Sequence, residues 1–270
     1  MREERGEINA VTMFFMVLLH VGAIAALFMF SWMRLLACLA VWYVSASLGI
    51  GVCFHRLLTH RGFKTYKWME YLLTIFGCLA LQGGPIWWVM KHRKHHQFAE
   101  EVGLDPHTPR EGGFWAHMGW LMYKDHDGPD VARKYAKDLL TDPVQRFLDK
   151  WHWLPLVALG AVLFAVGGLP LVLWGACMPV VISWHSTWLV NSATHMWGSR
   201  RFETRDNSRN NWWVAMLTFG EGWHNDHHHD PRAARHGYRW YEVDVNWYNI
   251  VALRALGLAW DPVKPKALKT

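Results

Sequence analysis

The stretch "EGWHNDHHHDP", residues 221–231, contains four histidines within six positions. The chain has 17 histidines in 270 residues, and several others also occur in short clusters: "HRLLTH", "HRKHH" and, with an asparagine one helical turn before its histidine, "NSATH". Side chains of this type bind metal ions as neutral imidazoles. The candidate ligands are His55, His60, His92, His95, His96, His195, His224, His227 and His228.

The spacing of these histidines favours shared faces of helices. In "HRKHH" and "HNDHH" the histidines stand at i, i+3 and i+4, which lie on one face of a helix. His55 and His60 are five residues apart, about 140° around an ideal α-helix, so we expect His60 to lie beyond the helix end. Asn191 and His195 share a face at i and i+4. His229 breaks the pattern, and we expect it outside the ligand set.

Nine neutral imidazoles exceed what one ion binds, so the clusters predict two metal ions. Imidazole suits iron, copper, zinc and nickel alike, and ligand type alone does not choose among them. The HExxH motif of a zinc protease is absent. A pair of redox-active irons at a membrane face would suit oxygen chemistry on a lipid-soluble substrate. We leave His185 unassigned and expect structural roles for the other single histidines, which are His20, His107, His117, His126, His152 and His236.

The elements that position these clusters are apolar. Residues 8–33, 35–54 and 151–199 contain no Asp, Glu, Lys or Arg, and a helix of roughly 20 apolar residues spans a bilayer. Gly167, Gly168 and Pro170 interrupt the third run and predict two helices joined by a tight turn. We therefore expect one all-α polytopic membrane domain over 1–270. Its four transmembrane helices and its helical cap are expected at about 11–33, 35–54, 153–168 and 170–197, and at 55–152 and 198–270.

The distribution of charge predicts the orientation. Arg34 is the only one of the 28 Lys and Arg residues that falls in an outer turn, so both termini and the cap are expected in the cytoplasm. The apolar segment from Trp68 to Met90 would reverse this arrangement if it crossed the membrane. We expect it to be broken at Gly83, Gly84 and Pro85 and to enter and leave on one face.

Composition limits the other partners and linkages. The net charge of +6 is explained by anionic lipid head groups at the membrane edge, and no basic stripe with interleaved aromatics indicates nucleic acid binding. The four cysteines lie in apolar segments without CxxC spacing, so we expect buried thiols, neither disulfides nor zinc ligands.

Together the motifs resemble those of one known family. "HRLLTH", "HRKHH", "TWLVNSATH" and "GEGWHNDHH", in that order around four apolar helices, are similar to the membrane-bound fatty acid desaturases, specifically the group that acts at carbon nine of an acyl chain. "DPHTPREGGFWAHMGWL" and "RFETRDNSRNNWWVAMLTFGEGWH" resemble the same group, so the resemblance covers about residues 45–260.

The resemblance implies a di-iron centre held by the nine candidate histidines, with Asn191 holding a water near one iron. It also implies the reaction: O2 and two electrons are consumed, and two hydrogens leave adjacent methylenes to form a cis double bond. Gln82, Trp88 and Thr187 match the family's bend in the acyl tunnel, although ordinary packing at a membrane edge would also explain them. An integral protein of a bacterial inner membrane, with its active site on the cytoplasmic face, is the expected setting.

Two departures from the family pattern concern the acyl carrier. Acyl-CoA members carry Arg-Asp where this chain has Met90-Lys91, and Arg-Lys where it has Lys124-Asp125. Weakened phosphate contacts put CoA thioesters in doubt and make a lipid-linked acyl chain at least as good a substrate. No fused electron-transfer domain is visible, so we expect a separate donor, a ferredoxin or a cytochrome b5-like protein.

Two other functions remain open from the sequence. A membrane di-iron hydroxylase or decarbonylase would share iron and O2, but its middle cluster usually reads HxxxHH where this chain has HxxHH. A metal transporter would place His with Asp or Glu in the middle of its spans. Here the clusters lie at the membrane edge and the apolar runs hold no carboxylate.

Overall fold

A computed structural model of the chain describes residues 6–125 and 127–266. The described chain is mostly helical. The N-terminal half contains α1 (Ala10–Leu27), α2 (Trp32–Trp42), a π-helix (Tyr43–Thr59), β1 (Lys64–Thr65), α3 (Lys67–Cys78), α4 (Pro85–Phe98), a 3-10 helix (Pro109–Glu111), α5 (Gly113–His117), a 3-10 helix (Gly119–Met122) and α6 (Pro129–Tyr135). The C-terminal half contains α7 (Lys137–Leu140), α8 (Pro143–Lys150), α9 (Leu154–Val172), a π-helical turn (Leu173–Cys177), α10 (Met178–Met196), α11 (Trp212–Leu217), α12 (His224–His229), α13 (Val245–Ala255) and β2 (Ala259–Trp260).

Three continuous helical segments among the described residues are long and apolar enough to cross a membrane. They are Ala10–Leu27, Trp32–Thr59 and Leu154–Met196, with mean hydropathies of 2.3, 2.0 and 2.5. The second begins where the Ser31 hydroxyl accepts a hydrogen bond from Arg34 N. Arg34 therefore lies in the first turn of α2, not between two spans as predicted, because Ser31 caps the helix three residues earlier.

The third segment, Leu154–Met196, is a helical hairpin. Gly168 has φ 64° and ψ −164°, which breaks the helix at the predicted position. Leu163 contacts Gly175, where a methyl group would lie 2.8 Å from Leu163 Cδ1. In a straight helix these two residues would be about 18 Å apart along the axis. The chain therefore reverses direction at Gly168, within α9.

The segment from Trp68 to Met90 is not one helix. α3 ends at Cys78, the backbone of Leu81 adopts φ 49°, and α4 begins at Pro85. The Asp149 carboxylate of α8 accepts hydrogen bonds from Ile86 N and Trp87 N at 2.9 and 3.0 Å, which satisfies the free amides of the α4 N-terminus. The break lies where the sequence predicted it.

α3 packs closely along the π-helix because two glycines face each other. A methyl group on Gly49 would lie 2.3 Å from Gly77 N, and one on Gly77 would lie 2.4 Å from the Phe54 ring. Around this contact the largest buried cluster joins the π-helix, α3, α4 and α13 through residues such as Phe54 and Ile250. The same π-helix carries the first histidine cluster, so its packing positions the site.

Candidate metal centre

The structure brings the nine predicted histidines together in two groups. In each group the candidate ligand atoms all lie within 4.8 Å of one another. The first group contains His55, His60, His92, His96 and His227, and the second contains His95, His195, His224 and His228.

The helices α4 and α12 each contribute histidines to both groups. In α4, His92 and His96 belong to the first group and His95 to the second. In α12, His227 belongs to the first group, and His224 and His228 belong to the second. The i, i+3, i+4 spacing therefore places three imidazoles on one side of the helix, as predicted, and that side faces both groups. The His96 and His228 rings, one from each group, are 4.6 Å apart.

His60 follows the last residue of the π-helix, so it lies beyond the helix end as predicted. The predicted angle between His55 and His60 assumed an α-helix, whereas this segment is a π-helix. The His60 amide donates to the His55 carbonyl at 3.2 Å, an i to i+5 hydrogen bond. The wider π-helical turn brings residues five apart nearer to one face than an α-helix does. The two rings are consequently 4.9 Å apart.

The ring nitrogens converge as ligands of a cation do. His227 Nε2 lies 3.1 Å from His55 Nε2 and 2.9 Å from His96 Nε2, and His195 Nε2 lies 3.1 Å from His224 Nε2. Two ligand nitrogens about 2.1 Å from one ion at a right angle would be roughly 3.0 Å apart. The donor set therefore fits metal ions.

The protonation of the cluster also suits metal binding. Burial, together with neighbouring imidazoles, holds the pKa of five of these side chains well below the usual value for histidine. Buried His60 Nε2 and His228 Nε2 have no hydrogen-bond partner among the described residues. Neutral imidazoles with free nitrogen lone pairs are the form that binds a metal. The five are His60, His92, His96, His224 and His227.

Four carboxylates orient four of the imidazole rings through hydrogen bonds to their Nδ1 atoms. They accept from the Nδ1 atoms of His55, His95, His195 and His228 at 2.5, 3.0, 3.0 and 2.7 Å, respectively. A carboxylate on Nδ1 fixes the tautomer and leaves Nε2 free for a metal. The spacing of the histidines does not predict these carboxylates. In the order of the histidines just named, they are Glu221, Asp105, Glu100 and Asp206.

A buried arginine holds one of these carboxylates ionised. Arg56 Nη2 lies 2.9 Å from Glu221 Oε1 and 2.9 Å from Asp244 Oδ1. Burial alone would raise the pKa of Glu221, but Arg56, His55 and His236 hold it well below its usual range. Glu221 therefore remains an anion and accepts a hydrogen bond from His55 Nδ1.

Two histidines that stand singly in the sequence lie against the groups. The His107 ring is 4.5 Å from His95, and its Nδ1 is 3.6 Å from Asp105. Burial lowers the pKa of His107 to about 3. His236 Nδ1 lies 3.2 Å from Glu221 Oε2. The sequence offered no signal for either contact, because no other histidine stands at helical spacing from them.

The remaining histidines lie outside the two groups. His229 stacks on Phe202 with ring centroids 3.8 Å apart, and His152 Nδ1 is 3.0 Å from Asp149 O. His20, His185 and His117 form a chain with ring nitrogens 3.0 Å apart at each step, which gives the unassigned His185 two partners. Asn191 is partly buried, one helical turn before His195. His126 lies outside the described residues.

The three residues matched to the acyl tunnel form one hydrogen-bonded set. Gln82 Nε2 donates to Thr187 Oγ1 at 3.0 Å, and Trp88 Nε1 donates to Gln82 Oε1 at 3.3 Å. The Trp88 ring is 5.0 Å from His92 and 6.1 Å from His55. Residues from α4, α10 and the break before α4 thus meet beside the first histidine group.

The lysines at the two positions that depart from the family pattern, Lys91 and Lys124, form salt bridges with acidic residues of this chain. Lys91 is buried and forms salt bridges with Asp125 and, at 2.5 Å, with Asp127. Lys124 pairs with Glu7, and Met90 is buried. Neither lysine presents an unpaired charge.

All four cysteines are free thiols, as predicted. Cys38, Cys53 and Cys78 are buried, and Cys177 is partly buried.

Apolar helices long enough to cross a membrane, together with convergent groups of buried and partly buried imidazoles, define a membrane protein with a candidate metal site. Comparison with known proteins identifies the family. The profile described as "Fatty acid desaturase" matches residues 30–259. The chain belongs to the fatty acid desaturase family, whose members are oxidoreductases.

Curated relatives match over nearly the whole chain. An sn-1 stearoyl-lipid 9-desaturase from Anabaena variabilis is 46% identical over 94% of this chain and 93% of its own length. An sn-2 palmitoyl-lipid 9-desaturase from Nostoc sp. (strain 36) is 41% identical over 95% of this chain and 92% of its own length. An acyl-CoA C20 Delta5-desaturase from Anemone leveillei is 41% identical over 93% of this chain and 80% of its own length. Relatives of similar identity thus differ in acyl carrier and bond position.

Proposed function

We propose that this protein introduces a cis double bond at carbon nine of a saturated acyl chain that is esterified to a membrane lipid. One O2, two electrons and two protons are consumed with two hydrogens of the chain, which yields the alkene and two water molecules. The observation that carries the proposal is the convergence of nine histidines into two groups in a chain of the desaturase family.

The groups are proposed to hold two iron ions. His55, His60, His92, His96 and His227 would bind one, and His95, His195, His224 and His228 the other, with Asn191 holding a water beside the four-histidine group. When bound, iron supplies the oxidising power that removal of hydrogen from an unactivated methylene requires. No side chain has to act as a nucleophile or general base.

The side chains around the groups orient the ligands and position the substrate. Glu100, Asp105, Asp206 and Glu221 accept hydrogen bonds from the Nδ1 atoms and keep the rings in place. Gln82, Trp88 and Thr187 are proposed to bend the acyl chain beside the first group, so that one pair of methylenes faces it. Five of the nine histidines are buried, and a bound acyl chain would cover the partly buried ones and exclude water from the reaction.

A lipid-linked acyl chain is the proposed substrate. The relatives from Anabaena variabilis and Nostoc sp. are named stearoyl-lipid and palmitoyl-lipid 9-desaturases. Lys91 is neutralised by Asp125 and Asp127, and Lys124 by Glu7, so these lysines hold no free positive charge for the phosphates of a CoA thioester.

The proposed setting is a bacterial inner membrane. Residues 1–270 would form a single domain with four transmembrane helices, and 55–152 and 198–270 would form a cytoplasmic cap. The hairpin at Gly168 supports four crossings, because it divides the third apolar segment into two antiparallel helices. A separate ferredoxin or cytochrome b5-like protein would supply the electrons.

Fatty acid profiling of a bacterial host that makes only saturated acyl chains tests the proposal. After expression, lipid classes are separated and double bonds are located by derivatisation and gas chromatography–mass spectrometry. The expected result is cis-9 unsaturation of sixteen- and eighteen-carbon chains, first in intact glycerolipids. Hydroxylated or shortened products would instead indicate a hydroxylase or decarbonylase, and unsaturation first in the CoA pool would contradict the lipid-linked substrate.

A further inference from the structure

A second candidate site lies outside the histidine groups, where the loop after α10, the helix α11 and the segment before α13 meet. A cavity of about 600 Å³ opens there. One side is apolar and the other carries three arginines. Its lining residues that matter here are Arg200, Arg201, Arg239, Trp212, Met216 and Trp223.

The arginine side of the cavity has uncompensated positive charge. Arg201 is paired with Asp226 and Glu242. Arg200 and Arg239 are exposed, and neither forms a salt bridge within the part of the chain that the structure describes. Arg200 Nη2 donates to the carbonyls of Thr204 and Asp206, at 3.2 and 3.1 Å. Arg239 Nη1 donates to the Tyr241 hydroxyl. Neither guanidinium is paired with a carboxylate, so both remain available to an anion.

The acidic residues near these arginines are mostly buried. Between residues 199 and 242 only the carboxylate of Glu203 is exposed. The other acidic side chains of this stretch are buried; they are Asp206, Glu221, Asp226, Asp230 and Glu242. Glu242 lines the cavity, where it pairs with Arg201 and accepts a hydrogen bond from Arg239 N. The exposed charged side chains in the cavity lining are therefore arginines.

The apolar side of the cavity is equally exposed. Trp212 and Met216, four residues apart on α11, are 70% and 54% accessible. Leu217 beside them is also exposed. Such side chains on a short surface helix favour a membrane interface, where tryptophan is enriched.

Contacts with the second apolar segment place the elements around the cavity beside a helix that is long enough to cross a membrane. Phe219, just after α11, packs against Trp42 and Tyr43 with ring centroids 4.8 and 5.7 Å apart. Tyr43 also donates from its hydroxyl to Asn249 of α13 at 2.5 Å. The helices α11 and α13, which flank the cavity in the sequence, are therefore each followed or joined by a contact with the apolar segment Trp32–Thr59.

We propose that this cavity binds the phosphodiester head group of an anionic membrane phospholipid. Arg200 and Arg239 bind the phosphate, which guanidinium groups recognise with paired hydrogen bonds. An acyl chain of the same lipid lies along Trp212 and Met216. The lipid is a bound component of the protein and not its substrate, so the inference goes beyond the proposed function and does not depend on it.

The cavity also adjoins the "HNDHH" cluster, whose histidines lie on α12. Trp223 forms part of the cavity wall and directly precedes His224, and Arg201 pairs with Asp226 two residues later. A lipid bound here therefore contacts the segment that enters α12.

The test is native mass spectrometry of the delipidated full-length protein in detergent, titrated with phosphatidylglycerol or phosphatidylcholine. Wild-type protein is expected to bind one phosphatidylglycerol about tenfold more tightly than phosphatidylcholine. The double variant Arg200→Gln/Arg239→Gln should lose this preference. Trp212→Ala should weaken phosphatidylglycerol binding and leave the affinity for inorganic phosphate unchanged.

A second basic cavity offers the matched control. It is lined by Arg61, Arg93, Lys134, Tyr135, Lys137, Asp138 and Thr141, without a tryptophan or methionine wall. Lys134→Gln/Lys137→Gln removes the same charge and should leave phosphatidylglycerol binding unchanged.

Three results would overturn the proposal. Phosphatidylglycerol binding that survives Arg200→Gln/Arg239→Gln would show that the arginines do not hold the lipid. Inorganic phosphate binding as tightly as the lipid would mean that the cavity takes a free anion. If the double variant slowed reduction by an acidic ferredoxin while lipid binding stayed constant, the surface would dock a protein donor. Each readout is a binding or reduction measurement, so failure of desaturation in a host would not be confused with any of them.

Discussion

At the residue scale, the candidate centre depends on pairs of side chains that are far apart in the sequence. His55 and Glu221 are 166 positions apart, yet Nδ1 and Oε2 lie 2.5 Å from each other. Such a carboxylate raises the basicity of the ring and fixes its orientation toward a metal. Arg56 in turn holds Glu221 ionised. The histidines alone therefore describe only part of the site.

Glu221→Gln tests whether the carboxylates that hydrogen-bond to the histidines support metal binding. The carboxamide removes the negative charge beside Arg56 and His55, so iron affinity should fall about 10- to 100-fold. Iron retained during titration with a chelator measures the change. Glu203→Gln, an exposed carboxylate in the same part of the chain, should retain iron like the wild type. Equal iron retention in both variants would show that Glu221 does not support the metal.

Trp88→Ala tests the proposed bend. Loss of the indole removes the hydrogen bond to Gln82 and the wall beside His92. A displacement of the reacting carbons by about 1 Å costs on the order of a hundredfold in rate. Activity should fall and double-bond positions should spread while iron content holds, as measured by gas chromatography of derivatised products. Unchanged rate and position would exclude a role for Trp88 in placing the chain.

The sequence predicts the ligands better than their supporting residues for a physical reason. The spacing in "HRKHH" and "HNDHH" is local, and helical geometry alone brings those rings to one side. Asp105, Asp206 and Glu221 meet their histidines only through the tertiary fold, and nothing in their local sequence indicates the partner. For the same reason the sequence predicts only isolated structural roles for His107 and His236.

At the element scale, two features determine how the clusters meet. The π-helix Tyr43–Thr59 brings His55 and His60 together, a geometry that α-helical spacing does not predict. The break before Pro85 separates α3 from α4 and allows α4 to direct its histidines toward both groups. The glycine and proline residues predicted the break, and likewise the hairpin at Gly168, because their backbone preferences are local.

Gly49→Ala tests the packing of the π-helix on α3. A methyl group there overlaps the backbone of Gly77, so the free energy of unfolding should fall by about 1–3 kcal/mol. Thermal unfolding in detergent measures the shift. Gly160→Ala in α9 is the control, because no atom lies within 4 Å of the added methyl group. A Gly49→Ala protein as stable as Gly160→Ala would mean that the two helices do not approach this closely.

At the scale of the whole molecule, the proposal requires every histidine cluster on one side of the membrane. The structure describes three apolar segments, the third folded into a hairpin, and candidate ligands of the two histidine groups lie near the C-terminal ends of the second and third segments. The positive residues support the cytoplasmic side, because all 28 except Arg34 lie outside the predicted outer turns.

Single-cysteine labelling in a chain without its four native cysteines tests this topology. Cysteines at Glu101, near the buried Asp105, and at Asp142 and Arg205 should react with membrane-impermeant reagents from the cytoplasmic side alone. Gly168→Cys, in the predicted turn of the hairpin, and Phe30→Cys, in the turn between α1 and α2, should react from the other side. Labelling of the Glu101 position from outside would mean that Trp68–Met90 crosses the membrane, and the histidine groups could not assemble as described.

The metal content of purified, active protein tests the central claim most directly. Inductively coupled plasma mass spectrometry should find about two irons per chain, because five and four ligand nitrogens converge at two positions. His228→Ala should lose iron, whereas His229→Ala, whose ring stacks on Phe202 outside both groups, should keep it. Active protein that contains only zinc, or a His229→Ala protein that loses as much iron as His228→Ala, would contradict the di-iron assignment.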